Sequence, residues 1–106
     1  MPNIDDEQPA LTIEARPAPD GNVLVTAGEL DLATAPQLSE AAEALIETGA
    51  KRLVFEVSGL SFMDSSGLRV LLELSKRAEV VLRAPSRSVR RVVESTGVDT
   101  ILTLED

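Results

Sequence analysis

The chain has 106 residues, enough for one small core, with 43% apolar residues but only two aromatics, Phe55 and Phe62. A net charge of −8 without Trp or Tyr argues against a single-strand nucleic-acid platform, which needs a basic face and stacking rings. With no His and no Cys there are no disulfides, thiolate metal sites, zinc-hydrolase motifs, or Ser-His-Asp or Cys-His nucleophile sites within the chain.

Charge is uneven along the chain. Residues 1–50 hold ten acids and one base, Arg16, whereas residues 51–106 hold eight acids and nine bases. Such asymmetry either orients a protein partner or is ordinary solvated surface. No basic start followed by an apolar run marks a secretory leader, and no apolar run approaches the ~20 residues of a membrane helix. The expectation is a soluble, cytoplasmic protein: a flexible acidic tail over residues 1–10, then a single domain over 11–106.

Leu11, Ile13 and Ala15 alternate with Thr12, Glu14 and Arg16, the period of a half-buried strand. Pro17 to Asn22, with Asp20-Gly21 at its centre, reads as a hairpin turn into a second strand over Val23–Ala27. Gly28-Glu29-Leu30-Asp31 breaks the pattern. Thr34 and Gln37 have capping-box spacing, and Pro36 falls in the first turn of a helix reaching about Thr48. Leu38, Ala41, Ala42, Leu45 and Ile46 form its apolar stripe, and Gly49 stops it. Arg52 to Val57 is a nearly continuous apolar run that suits a central strand, and Gly59 turns the chain.

Asp64-Ser65-Ser66-Gly67 then precedes a helix from Leu68 to about Arg77. Positions 68, 70, 71, 72 and 74 are apolar, which implies burial on more than one side or an exposed docking patch. Val80–Leu82 is a short strand. Pro85-Ser86-Arg87-Ser88 opens a third helix with Val89, Val92 and Val93 inward, closed by Gly97, and Ile101–Leu104 is a final strand or helical turn. The order β-β-α-β-α-β-α predicts an α/β layered fold, a mixed four- to five-stranded sheet packed against helices.

The junction at Asp64-Ser65-Ser66-Gly67 carries the most information. Two hydroxyls and a carboxylate stand where free N–H groups and the positive end of a helix dipole meet, so a phosphate can be held there. Without His, a serine that another protein modifies fits better than a nucleophile, and there is no Gly-x-Ser-x-Gly elbow. The same residues also read as packing and capping. Ser65 or Ser66 suits an N-cap, Asp64 compensates a dipole, Gly67 permits close approach, and Gly28 and Asp31 suit a turn. Arg83, Arg87, Arg90 and Arg91 read as solvated surface or as a patch for an acidic partner.

Gly28-Glu29-Leu30-Asp31, Leu60 to Leu68, and Ala84-Pro85-Ser86 followed by Val89, Val92 and Gly97 together resemble the STAS domain, over about residues 10 to 104. Within it they are most similar to the stand-alone anti-sigma factor antagonists. The resemblance implies a binding protein, not an enzyme, with no metal or cofactor of its own. Unphosphorylated, it would bind an anti-sigma factor that is an ATP-binding, GHKL-type serine kinase, and so release a sigma factor. Phosphorylation of the first serine after the aspartate, Ser65, would switch it off, and a metal-dependent serine phosphatase would restore it.

By the same resemblance, Glu29, Asp31, Asp64, Ser65, Ser66, Gly67, Leu68 and Arg69 form the partner-binding surface of a protein that is a monomer when free. It implies no direct contact with nucleic acid or membrane. The chain departs from the family at Arg69, where many members carry a small residue, and at the short connection from Ser75 to Glu79. The alternative is a STAS subunit of a transport complex or stress-signalling scaffold that docks without a phospho-switch. A phosphoaspartate receiver using Asp64 lacks a suitably placed Lys.

Overall fold

The computed structural model of the protein describes residues 9–18 and 21–106. Strands β1 (Leu11–Ala18) and β2 (Gly21–Leu30) pair antiparallel, Leu11 opposite Gly28 and Ala18 opposite Gly21. The hairpin is tighter than the expected turn over 17–22, because Pro17 stays in β1 opposite Asn22. β1 is an edge strand, where a residue without an N–H is tolerated. The turn expected at Asp20 falls on a residue outside those described.

Helix α1 (Ala35–Glu47) leads to β3 (Arg52–Met63), α2 (Ser65–Ser75), β4 (Glu79–Arg83), α3 (Arg87–Ser95), a 3-10 turn (Val98–Thr100) and β5 (Thr103–Glu105). The sheet order is β1-β2-β3-β4-β5, with β2, β3, β4 and β5 mutually parallel. The α/β layered fold with a mixed sheet is therefore as expected, with five strands.

Two strands outrun their expected ends. β2 continues through Gly28 to Leu30, and the anticipated break takes the form of register shifts against β3 at Val25/Ala27 and Gly28/Glu29. β3 passes through Gly59 without turning. A Cβ at Gly59 would lie 2.9 Å from that of Ala27, so this glycine serves close strand approach inside a bulged pairing. Gly28 has φ 109°, and a Cβ there would sit 2.2 Å from the Ala10 carbonyl oxygen. The backbone bond from Glu29 N–H to that same oxygen, 2.8 Å, shows how tightly the chain before β1 crosses the end of β2.

One apolar layer joins sheet to helices. Leu24 of β2, Leu53, Phe55 and Val57 of β3, and Val80 and Leu82 of β4 share a continuous core with Leu38 and Ala42 of α1, Leu68, Leu71 and Leu74 of α2, and Val89 and Val93 of α3. Strand side chains alternate, so the intervening Val54 and Val81 point to the opposite face, beside Arg52, Glu56 and Arg83. Ion pairs cross that face from Arg52 to Glu79 (3.4 Å) and from Arg83 to Glu105. Among the described residues no helix is long and apolar enough to cross a membrane.

The predicted capping box at Thr34 and Gln37 does not form. Thr34 is helical in φ and ψ and makes no side-chain cap bond to α1. Its buried hydroxyl instead donates to the Glu29 carbonyl (2.9 Å) and accepts from the Asp31 N–H (2.9 Å). The Gln37 amide donates to the Leu11 carbonyl (3.1 Å), tying α1 to β1. Both polar side chains fix α1 against the β1–β2 hairpin.

Gly28→Ala combines a backbone conformation that L-residues avoid with a collision against main chain. It should cost at least about 2 kcal/mol of unfolding free energy, read from a urea melt. A loss below about 0.5 kcal/mol would show that the crossing at Ala10 relaxes freely.

Candidate functional site

The parallel strands β2 and β3 end together, Leu30 beside Met63, and each is followed at once by an aspartate, Asp31 and Asp64. The Asp64 N–H donates to the Leu30 carbonyl (3.1 Å), which locks the start of α2 to the end of β2. Glu29, Asp31 and the segment from Asp64 to Arg69 thus gather at the carboxyl ends of neighbouring strands, where open α/β sheets commonly bind ligands.

Asp64 is the N-cap of α2. Its Oδ1 accepts from the N–H groups of Ser66 (2.8 Å) and Gly67 (3.2 Å), and its carbonyl accepts from Leu68 N–H (3.1 Å). The cap therefore belongs to the aspartate and not to Ser65 or Ser66. This also corrects the expectation of free N–H groups waiting for a phosphate, because the carboxylate already fills that position and compensates the helix dipole. With capping delegated to Asp64, Ser65 stands exposed at the first helical position, and no described residue hydrogen-bonds its hydroxyl.

Gly67 is buried. A Cβ there would lie 2.5 Å from Leu30 Cγ and 3.1 Å from Met63 Cγ, so the helix rests directly on the strand ends. Leu68 points into the core. In the free protein these two residues pack, so the expected contact surface reduces to Glu29, Asp31, Asp64, Ser65, Ser66 and Arg69, with the edge of Leu68 at a groove wall. Asp31 is itself a turn former. Its Oδ1 accepts from the N–H groups of Ala33 (3.0 Å) and Thr34 (3.1 Å).

Two grooves meet at Ser65. One, about 640 Å³, runs along α2 between Leu68, Leu72 and Lys76 on one side and Ile101 on the other. The second, about 360 Å³, lies between the starts of α1 and α2, lined by Leu32, Pro36, Ser66 and Val70. Ser65 and Arg69 line both. Sequence reading missed Leu32 and Ile101, which are 76% and 58% exposed. The visible signal for Leu32 is an aliphatic residue between the polar turn residues Asp31 and Thr34. The double apolar character of α2 has both explanations at once: Leu68, Leu71 and Leu74 are buried, while Val70 and Leu72 reach the groove walls.

The basic stretch divides. Arg83 pairs with Glu105, and Arg90 with Glu94 and Asp106. Arg87 and Arg91 border a smaller depression with the half-exposed Phe62. The shortened connection is compact: α2 ends at Ser75, Arg77 and Ala78 N–H groups both donate to Leu74, and Glu79 N–H reaches Lys51. Arg77 then ties α2 to Glu43 of α1 at 3.0 Å.

These features are matched by known proteins. The STAS domain family model covers residues 12–106, and the chain belongs to that family. It is 32% identical over 88 residues to the anti-sigma-B factor antagonists of Listeria monocytogenes and Listeria innocua, covering 78% of this chain and 77% of theirs. An anti-sigma factor antagonist from Mycobacterium paratuberculosis superposes with a TM-score of 0.83 at 26% identity, over 90% of this chain and 85% of that one. The antagonist SpoIIAA in its unphosphorylated form superposes at 0.75 with 25% identity, over 90% and 89%.

Asp64→Ala should lower unfolding free energy by about 1 kcal/mol, or roughly 4–8 °C in Tm. Ser65→Ala should stay within about 0.5 kcal/mol of wild type. If thermal melts show the serine change to be the more damaging, Ser65 holds the helix and the division of labour described above is wrong.

Proposed function

We propose that the protein is an anti-sigma factor antagonist that binds an anti-sigma serine kinase of the GHKL type in the cytoplasm, and that phosphorylation of Ser65 ends the binding. Relatives sharing about a third of the sequence, and solved structures of this fold sharing about a quarter, bear the antagonist name. SpoIIAA among them is described in an unphosphorylated and a phosphorylated form. The observation that carries the reading is the exposed, unbonded Ser65 hydroxyl between two grooves, on a helix whose capping is done by Asp64. A residue relieved of any fold duty is free to be modified.

The electrostatics give the switch its size. A phosphoserine adds about −1.5 to −2 charges at pH 7. Set beside Asp64, with Asp31 on the neighbouring turn, it would turn a neutral hydroxyl into a dense negative cluster. Like charges ~4 Å apart repel by roughly 4 kcal/mol at an effective dielectric of ~20, so a partner surface that accepts a hydroxyl and carries acid nearby would lose affinity several hundredfold. Such a penalty needs no change of fold. A separate serine phosphatase would reverse it, and the chain itself acts by binding and not by catalysis.

The test is retention of ATP-binding kinases from lysate of the source organism on wild-type, Ser65→Ala and Ser65→Asp baits, followed by mass spectrometry of the bait. Wild type and Ser65→Ala should hold a GHKL-type kinase, Ser65→Asp should release it, and ATP-dependent phosphate should map to Ser65. Equal retention on all three baits without phosphate would instead indicate a STAS subunit that docks without a switch.

A further inference from the structure

We propose that Arg69 is the phosphate-binding residue of this switch: one helical turn beyond Ser65, its guanidinium pairs with the phosphate placed there and is thereby withdrawn from the partner-facing grooves. The inference rests on the reading of Ser65 as phosphoacceptor and names what receives the phosphate.

Three observations lead to it. Most anion donors at this helix start are taken, since Asp64 Oδ1 accepts from the N–H groups of Ser66 and Gly67 and its carbonyl from that of Leu68. Beyond the N–H of Ser65 itself, a phosphate there finds its counter-charge in a side chain. Arg69 is four residues on, so it shares the face of Ser65, and the two residues line both grooves. Finally, Arg69 is exposed and no acid pairs with it among the described residues. Glu73, the acid one turn further along, is engaged by Lys76 at 3.6 Å.

The sign and order of the charges favour the pair. An anion N-terminal to a cation at this spacing is the better orientation on a helix, and a guanidinium offers two parallel N–H donors to phosphate oxygens. The remaining charges around Ser65 do not compete for the role. Asp64 and Asp31 are negative, and Lys76 lies about three turns away along α2. Before phosphorylation Arg69 is free to meet a carboxylate of the partner. Afterwards the same residue is occupied by its own helix, so the partner loses a cation and meets an anion in one step.

The test installs phosphoserine at position 65 during translation of the full chain, without any kinase, and follows the phosphate by 31P NMR as pH is varied. A neighbouring cation favours the dianion and lowers the second ionisation midpoint. Wild type should therefore titrate about 0.5 pH unit below Arg69→Gln, with Arg69→Lys between them. High salt should shrink the gap. The Arg69 Nε–H resonance should shift on phosphorylation, and unphosphorylated Arg69→Gln should melt like wild type.

Midpoints of wild type and Arg69→Gln agreeing within about 0.1 pH unit, with an unmoved Arg69 resonance, would overturn the pairing. That result leaves Ser65 as phosphoacceptor untouched, because the phosphate was supplied independently. The absence of kinase-dependent phosphate in the bait experiment would remove the phosphoacceptor reading, whatever the titration shows.

Discussion

At Gly67 the first turn of α2 lies so close to Leu30 that no side chain fits between them, and the arrangement around Ser65 depends on that contact. The missing Cβ lets the helix start sit on the ends of β2 and β3. The Asp64 N–H bond to the Leu30 carbonyl then fixes the direction in which the helix leaves the sheet. With the helix seated this way, Gly67 and Leu68 face inward and Ser65 and Arg69 face outward. The 100° step of a helix allows no other division once Gly67 is pressed against the strand. Exposure of the serine is thus a consequence of packing one side chain's width away.

The same junction resolves an electrostatic conflict. A helix start attracts anions, and an unmodified serine there would ordinarily fold back as a cap. Asp64 precludes this by taking both N–H groups. The cap is supplied by the residue before Ser65, so the start of α2 does not depend on the serine hydroxyl. Thr34 performs the matching task on the other side of the site, holding the Glu29–Asp31 turn with its buried hydroxyl so that α1 and Leu32 keep their place.

Much of this architecture is legible in the residue pattern, and the exceptions have local causes. α1 is readable because Leu38, Ala42, Leu45 and Ile46 hold helical spacing up to Gly49, whose φ of 102° ends it. α3 is readable from Ser86, which does cap Val89, and from Val89 and Val93. The lengths of β2 and β3 are not, because Gly28 and Gly59 are ordinarily chain breakers. Only chain segments absent from any local window reveal that Gly28 makes room for the Ala10 carbonyl before β1 and Gly59 for Ala27 across a bulged pairing. Thr34 and Gln37 have the spacing of a reciprocal cap, yet both have better partners in the hairpin, a tertiary choice that spacing cannot express. For the site, the Asp-Ser-Ser-Gly run is visible in one dimension. Which residue caps and which is left free is decided by rotation of the helix against Leu30.

Exposed aliphatics frame this surface. Leu32 and Ile101 belong to different connections, one after β2 and one after the 3-10 turn, and they bracket Ser65 and Arg69 from opposite sides. Apolar contacts of this kind contribute affinity roughly in proportion to buried area and barely change when a distant charge is altered. A single charged group placed between them, on a surface that excludes water once docked, acts with far more leverage than the same group in open solvent. Ser65 and Arg69 stand between these aliphatic edges, so a change of charge there alters the middle of the surface and leaves its apolar rim as it was.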